Sequence, residues 1–230
     1  MRIGKKRVPV LVRLAVCVNG HREIVDLRLA GVESERAWLE VVQALAERKL
    51  SASQLAVMDG NPGLAPALRL QWPTIAIQRC INHKLWNLLA KAPAHLREEL
   101  AEDYHPMIHA EGREAVEQAR RGFARKWKLR CQAVYQSFEE AGDQLFTFTG
   151  VPLSQWKALR TTNALERINE EFRQRTKTQA SLPSERGGAA SDVRAFARRP
   201  DQVASCGGLV RVRLRFYNSG RGMRAGWKIA

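Results

Sequence analysis

The stretch QLAVMDGNPG, Gln54 to Gly63, decides the fold class of this 230-residue chain. Its first half is a short apolar run, which predicts a buried strand. The strand ends at Asp59 and breaks at Gly60, and Pro62 favours the first turn of a helix that continues through LAPALRLQW. A buried strand that turns into a helix is typical of an α/β sheet.

The segments around this strand extend the same pattern. VPVLVRLAVCV (8–18) and EIVDLRLAG (23–31) predict two strands of a hairpin, because the turn dipeptide Asn19-Gly20 lies between them. Residues 33–50 have apolar positions at helical spacing, and TIAIQRC (74–80) predicts another strand. The predicted order is therefore strand, strand, helix, strand, helix, strand.

A long helical pattern follows from Leu85 to about Gln144, with Pro93 and Pro106 as expected breaks. Its Arg, Lys and Glu residues favour the solvent faces of packed helices. From residue 183 onward the character changes, because ten Lys and Arg stand against three Asp and Glu and no helical period is visible. We expect this last segment to be irregular.

The stretch RTTNALERINEEFRQRTK, Arg160 to Lys177, places three glutamates among five basic residues. Asn163 and Glu166 have the spacing of a capping box, which predicts a helix that starts there. The acids of this helix are either part of a solvated polar face or part of a metal site. The metal-site interpretation requires a second acid, a matching fold and a nucleic-acid partner.

Asp59 is the candidate for that second acid. Reactive groups of open α/β sheets collect at the carboxyl ends of the strands, although an Asp before Gly is also an ordinary turn residue. Carboxylates that share divalent metal ions activate water in phosphodiester chemistry, and cations hold the phosphate backbone. The candidate DNA-binding cations on both sides of Glu166 are Lys157, Arg160, Arg167, Arg173, Arg175 and Lys177.

The charge balance agrees with a polyanionic partner. The chain has 38 Lys and Arg against 23 Asp and Glu, a net charge of +15, and basic surfaces gain affinity for nucleic acids by releasing counterions. The sequence has no signal peptide, lipidation motif or long apolar run, and its four cysteines are scattered. We therefore expect a cytoplasmic protein without membrane contact.

Three motifs together resemble one known family. DGNPG (59–63), QRCINHKLWNL (78–88) and TTNALERINEEFRQRTK (161–177) look like the marks of the mutator-type transposases of bacterial insertion sequences. The order and approximate spacing also match, over about residues 2–185. The resemblance implies an α/β fold of the ribonuclease H-like type, which is a mixed sheet with an all-helical insertion.

The same resemblance implies the chemistry and the partners. Family members use an Asp, Asp, Glu triad with Mg²⁺ or Mn²⁺ to cut transposon ends and join them to double-stranded DNA. By motif match Asp59 is the second Asp and Glu166 is the Glu, and both would bind the metal. A homo-oligomer, or pairing with an intact transposase, and association with the nucleoid are implied as well. The motif residues whose role stays open are Cys80, His83, Asn163 and Asn169.

Cys80 and His83 form a C-x-x-H pattern. As half of a zinc site it has no partner pair at suitable spacing. Core packing for Cys80, and a polar structural or DNA-facing role for His83, are the alternatives.

The chain also departs from the family pattern. The family's first catalytic Asp lies on the first strand, just before the stretch that begins this chain, and no residue matches it. Asp26 lies on what should be the third strand, so we reject it. After SLPSE (181–185) the family continues into an apolar helical segment, whereas this chain is rich in Arg and Gly. An incomplete sheet without its first strand, and a frameshift near residue 185, are expected.

We therefore predict four segments. Residues 1–84 form the first part of the core, 85–158 the helical insertion, 159–185 the core helix with the catalytic Glu, and 186–230 a divergent basic tail. The predicted function is that of a mutator-family transposase fragment that is inactive alone. The alternatives are a non-catalytic DNA-binding remnant that interferes with an intact transposase, and a basic protein that binds RNA or ribosomes.

Overall fold

The structure is a computed structural model and describes residues 2–3, 6–7, 10–16, 22–29, 35–47 and 54–162. Its strands are β1 (Arg2–Ile3), β2 (Lys6–Arg7), β3 (Val10–Val16), β4 (Arg22–Leu29), β5 (Leu55–Met58) and β6 (Ala76–Arg79). Its helices are α1 (Glu35–Glu47), α2 (Leu64–Gln71), α3 (Ile81–Lys91), α4 (Arg97–His109), α5 (Arg113–Arg130), α6 (Gln132–Ala141) and α7 (Leu153–Arg160). Short 3-10 turns occupy Ala94–Leu96, Gly142–Leu145 and Thr147–Gly150.

The hairpin that the sequence pattern predicts is present, and two further pairings join the remaining described strands. β3 and β4 form an antiparallel hairpin, whereas β5 and β6 are parallel, with Met58 opposite Arg79. Within the described ranges no pairing joins the hairpin to the parallel pair, and β1 and β2 form a short antiparallel ladder that was not predicted. The α/β class and the order of the elements from β3 to β6 are confirmed. The predicted turn at 19–20 lies outside the described residues.

Strand β5 lies between two hydrophobic clusters. Leu55 and Val57 face the cluster built by the helices from α3 to α7, while Ala56 and Met58 face the cluster built by α1 and α2. All four residues are buried. Burial of both faces explains why the sequence of β5 is a continuous apolar run instead of an alternating one.

The helical part is attached to β6 by a buried side-chain amide. Gln78 Nε2 donates to the Leu145 carbonyl at 2.9 Å, and Gln78 Oε1 accepts from the Phe148 amide at 2.7 Å. The Thr147 hydroxyl also donates to the Ile77 carbonyl, at 2.6 Å. Because an unpaired buried amide is costly, these bonds hold the two turns after α6 against the strand.

The two expected proline breaks have different outcomes. Pro93 separates α3 from α4, as predicted, but Pro106 lies inside α4, so the second break is wrong. A proline removes one backbone bond, here to the Glu102 carbonyl, which lies on the exposed face where water can replace it. Burial of Met107 and Ile108 then stabilises the last turn of the helix.

Candidate active site

Asp59 directly follows β5, at the carboxyl end of the parallel pair. Its Oδ1 accepts a hydrogen bond from the Asn61 amide at 3.2 Å, and Asn61 Oδ1 accepts one from the Gly63 amide at 3.0 Å. Helix α2 begins at Leu64, so Pro62 lies in the turn and not in the first helical turn as predicted. Two consecutive side-chain-to-backbone turns therefore fix the half-buried Asp59 at the end of the strand.

Gly60 and Arg79 occupy neighbouring positions at the ends of the two strands. Gly60 has φ +102°, a left-handed conformation that favours glycine. A Cβ atom at this position would overlap the guanidinium group of Arg79. The DG dipeptide thus brings a cationic side chain directly against the backbone that follows Asp59.

Arg79 and Lys84 share one carboxylate, that of Glu140. Arg79 Nη1 donates to Oε1 at 2.8 Å, and Lys84 Nζ donates to Oε2 at 2.7 Å and to the Ser137 hydroxyl at 3.3 Å. The Lys84 side chain is 1% exposed and that of Glu140 is 58% exposed. Arg79, Lys84 and Glu140 together carry one net positive charge, which lies beside the strand end that carries the Asp59 carboxylate.

The ionisation of this group follows from its surroundings. Partial burial acts to raise the pKa of Glu140, but the hydrogen bonds from Arg79 and Lys84 outweigh it and lower that pKa to about 2. Burial lowers the pKa of Lys84, and the hydrogen bond to Glu140 opposes this shift. The carboxylate therefore stays ionised well into the acidic range.

The C-x-x-H motif converges on a threonine hydroxyl. Cys80 Sγ lies 3.0 Å from Thr162 Oγ1, and the same oxygen lies 3.2 Å from His83 Nδ1. Cys80 is 1% exposed and Thr162 is 2% exposed. These contacts agree with core packing for Cys80 and a polar structural role for His83, and they join the end of β6 to the segment after α7.

The two described DNA-binding candidates differ in their surroundings. Lys157 is exposed on α7. The Arg160 guanidinium lies 4.8 Å from the Phe148 ring centre and 5.2 Å from that of Trp156, and its Nη1 lies 3.2 Å from His109 Nδ1. Because arginine only donates, Nδ1 is the acceptor in this contact. Arg160 is therefore engaged within the helical part, while Lys157 faces solvent.

The environment of His109 also reflects this contact. Burial lowers the pKa of His109, and the positive charges of Arg160 and His105 lower it further. Burial lowers the pKa of the Arg160 guanidinium as well.

Seven predicted site residues lie outside the described residues, so their positions stay predictions. They are Asn163, Glu166, Arg167, Asn169, Arg173, Arg175 and Lys177. The tail at 186–230 and the helix predicted from Asn163 lie outside them as well.

A divalent metal would need further ligands beside Asp59. Carboxylate oxygen is the donor that Mg²⁺ prefers, so the chemistry of Asp59 fits this ion. Among residues 54–162 and the earlier described segments, no three His, Cys, Asp or Glu residues cluster closely enough to hold a metal ion. The described residues alone therefore do not form a metal site.

In the same part of the chain, no helix has the length and apolar character to cross a membrane.

Sequence reasoning missed the Arg79, Lys84 and Glu140 group and the role of Thr162. One signal was available: Lys84 has helical spacing with the apolar residues Ile81 and Leu88, which predicts a buried position. Nothing in the sequence pairs it with Glu140, because the partners are 56 residues apart.

Comparisons with known proteins find one family. The sequence profile described as "Transposase, Mutator family" matches residues 2–197. The transposase for insertion sequence element IS1201 of Lactobacillus helveticus is 26% identical over 78% of this chain and 49% of its own length. Those for ISRM5 of Rhizobium meliloti and IST2 of Acidithiobacillus ferrooxidans are 30% and 31% identical, over 76% and 74% of this chain and 44% and 58% of theirs. The chain thus spans about half the length of the curated relatives it matches.

Proposed function

Since the chain belongs to the Mutator family of transposases, we propose that its residues serve the reaction of DNA transposition, by metal-dependent strand cleavage and transfer. The observation that supports this most is the position of Asp59 at the carboxyl end of the parallel pair β5–β6. That edge is where open α/β sheets collect their reactive groups.

The proposed fold is ribonuclease H-like, with one further strand between β3 and β5. Two features support it: the order of the described elements, and the separation of the β3–β4 and β5–β6 ladders within the described ranges. A strand inserted there would complete a mixed sheet. It would also bring the family's first Asp beside Asp59.

The proposed metal ligands of this chain are Asp59 and Glu166. Bound Mg²⁺ or Mn²⁺ would supply an activated water and stabilise the leaving oxygen of the phosphodiester. Asp59 would contribute a carboxylate that the hydrogen bond from the Asn61 amide orients in advance. Arg79 and Lys84 lie at the same edge and are paired with Glu140.

The proposed partner is double-stranded DNA. Lys157 is the described candidate whose surroundings suit a phosphate contact, because it is exposed on α7. Arg160 would support that helix from behind, through its packing against Phe148 and Trp156. The remaining candidates, Arg167, Arg173, Arg175 and Lys177, would extend the contact along the next helix.

We propose that the 230-residue chain binds DNA but does not cleave it alone. Two ions held close together need bridging and flanking carboxylates, and Asp59 and Glu166 supply two of the family's three acids. A chain with this property could occupy transposon ends and interfere with an intact transposase, which is the second candidate function.

A plasmid-nicking assay tests the proposal. The substrate carries the ends of the element that encodes the chain, with Mg²⁺ or Mn²⁺ in the buffer. The 230-residue chain should leave it intact, and a longer protein that adds the family's first strand with its Asp should nick it. In the longer protein Asp59→Ala and Glu166→Ala should each abolish nicking while DNA binding persists.

The matched controls are Asp26→Ala and Glu170→Ala, which should retain most of the nicking activity. Loss of nicking with Glu170→Ala but not with Glu166→Ala would mean that the third acid is misassigned. Nicking by the unextended chain would refute the proposed inactivity. Adding increasing amounts of the 230-residue chain to the longer protein tests the second candidate function. If the chain interferes, nicking should fall as more of it is added.

A further inference from the structure

Helix α5 carries far more positive than negative charge. Its 18 residues include seven Lys and Arg but only two Glu. Some of these cations pair with neighbouring elements: Lys126 Nζ and Arg130 Nη2 lie 2.9 and 2.7 Å from the Glu99 carboxylate of α4. Arg120 Nη1 lies 2.8 Å from Asp143 Oδ1, in the turn after α6. These ion pairs join α5 to its neighbours and account for only part of its positive charge.

The cations on the outward side of α5 have no such partners. Arg121, whose side chain is 65% exposed, reaches only Glu117, at 3.9 Å. Arg125 and Lys128 are exposed and form no ion pair within the described part of the chain, although the Lys128 ammonium lies 5.7 Å from the Tyr135 ring centre. Because Arg121 and Arg125 are four residues apart, their like charges are neighbours on the helix surface and repel each other.

Gly122 lies beside this row of cations, in the interior of α5. A Cβ atom there would meet no described atom within 4 Å, so packing inside the protein does not require a glycine. Glycine also weakens a helix interior relative to alanine. What a missing side chain does allow is the close approach of another molecule to the helix backbone. We call Arg121, Gly122, Arg125 and Lys128 the basic face.

The basic face matches the phosphate backbone of a duplex in length and charge. Arg121 and Lys128 are about 10 Å apart along the helix axis, at about 1.5 Å per residue. Over that length a DNA duplex presents about six phosphates, at one charge per about 1.7 Å. The face itself contains no aromatic residue, whereas single strands bind through bases that stack on aromatic side chains. Its chemistry therefore favours a duplex over a single strand.

We propose that the basic face of α5 is a docking surface for the phosphate backbone of double-stranded DNA. The choice of DNA as the occupant rests on the proposed function, and the charge complementarity rests on α5 itself. The helical insertion thereby gains a DNA contact that is separate in sequence from Lys157 and from the proposed metal ligands.

The salt dependence of binding tests the basic face on the full 230-residue chain, with no metal present. Affinity for a short fluorescent duplex is measured by anisotropy between about 50 and 200 mM salt. Replacing all three cations of the face by Gln should lower the slope of log affinity against log salt concentration by about 2–3, because each lost phosphate contact removes about 0.9. The changes are Arg121→Gln, Arg125→Gln and Lys128→Gln.

The matched control removes the same charge from exposed positions on other helices. If binding is local to the basic face, this control should lower the slope by less than about 1. Its changes, on α1, α2 and α3, are Arg36→Gln, Arg69→Gln and Lys91→Gln.

Gly122→Gln tests the close approach without changing the charge. It should raise the melting temperature, because glutamine is a better helix former than glycine. It should nevertheless lower the affinity for the duplex by about fivefold or more, since the added side chain separates the phosphates from the cations. A role in stability alone would not lower the affinity. Ala133→Gln, at an exposed position of α6, is the matched control and should leave the affinity unchanged.

Circular dichroism shows whether each variant folds. If the triple variant does not, Arg125→Gln alone decides, with an expected slope reduction of about 1. Equal slopes in the triple variant and its control, or an unchanged affinity in Gly122→Gln, would overturn the proposal. So would tighter binding of a single-stranded RNA that the triple variant weakens to the same extent. Failure of the longer protein to nick DNA would instead refute the proposed function and leave the slope difference unaffected.

Discussion

The guanidinium group of Arg79 fills the space into which a side chain at position 60 would project. The two residues lie at the ends of neighbouring parallel strands and depend on each other. Gly60 must lack a side chain for Arg79 to reach Glu140, and Arg79 in turn covers the backbone that follows Asp59. The glycine of the DG dipeptide is thus a packing requirement as well as a turn requirement.

Gly60→Ala should destabilise the protein by about 2–3 kcal/mol, because left-handed backbone strain and overpacking add together. Urea unfolding followed by circular dichroism measures the change. The matched control is Gly122→Ala inside α5, where a Cβ meets nothing within 4 Å. That change should stabilise by about 0.5–1 kcal/mol. Equal effects of the two substitutions would show that Arg79 does not restrict position 60.

Glu140→Gln should destabilise the protein at pH 7 by about 1–2 kcal/mol, because it leaves the buried Lys84 ammonium without its carboxylate. The figure is reduced because the Glu140 carboxylate is more than half exposed, which screens the interaction. Glu139→Gln on the same helix is the control, with an expected effect within about 0.5 kcal/mol.

The stability difference between the parent chain and Glu140→Gln should depend on pH. The pKa of Glu140 is lowered from 4.5 to about 2, so its stabilising contribution is complete above the unfolded-state pKa. It should decline as the pH falls from about 4.5 towards 2. Urea unfolding of both proteins at several acidic pH values measures this difference in unfolding free energy. A difference that stays constant as the pH falls to about 2 would contradict the ion pair.

Arg160→Ala and Lys157→Ala should separate stability from DNA affinity. Arg160→Ala should cost about 1–2 kcal/mol of stability through lost contact with Phe148 and Trp156. It should also raise the pKa of His109, as nuclear magnetic resonance can read, because a nearby positive charge is removed. Lys157→Ala should leave stability unchanged. It should reduce the slope of log affinity for DNA against log salt concentration by about 1. The reverse pattern would mean that Arg160 is the phosphate contact.

Binding of the chain to a DNA duplex should be weak, insensitive to sequence and strongly dependent on salt. The net charge of +15 motivates this expectation. Fluorescence anisotropy should show at least about a tenfold loss of affinity between about 50 and 200 mM salt. An affinity that is unchanged over this interval would rule out counterion release as the source of binding.

Local sequence patterns predict the elements around Asp59 well. The apolar run of β5, the break at Gly60 and the helix after it are short-range features, and the structure has all three. The exact helix start differs because the side chains of Asp59 and Asn61 form turns that place Pro62 before the helix. Pro106 shows the limit of a local rule, because the tertiary burial of Met107 and Ile108 overrides it.

The contacts that complete the site were beyond prediction because they join distant positions. Thr162 lies 82 residues from Cys80, and Glu140 lies 61 residues from Arg79. Arg160 stays a predicted DNA contact because of its charge and its place beside the Glu166 segment, and the sequence does not reveal the two aromatic rings and the histidine around it. Lys84 was the exception, with a burial signal in the spacing of its helix.

The helical part of the chain departs from β6 at Ile81 and returns to its end at Thr162, within hydrogen-bond reach of Cys80. A segment whose two ends meet can change in length with little effect on the frame that carries it. Its helices could therefore be lengthened, shortened or exchanged over evolutionary time, while the distance between Asp59 and the returning chain stays constant. The insertion would be free to diversify, and the two-residue spacing between Cys80 and His83 would be the part under constraint.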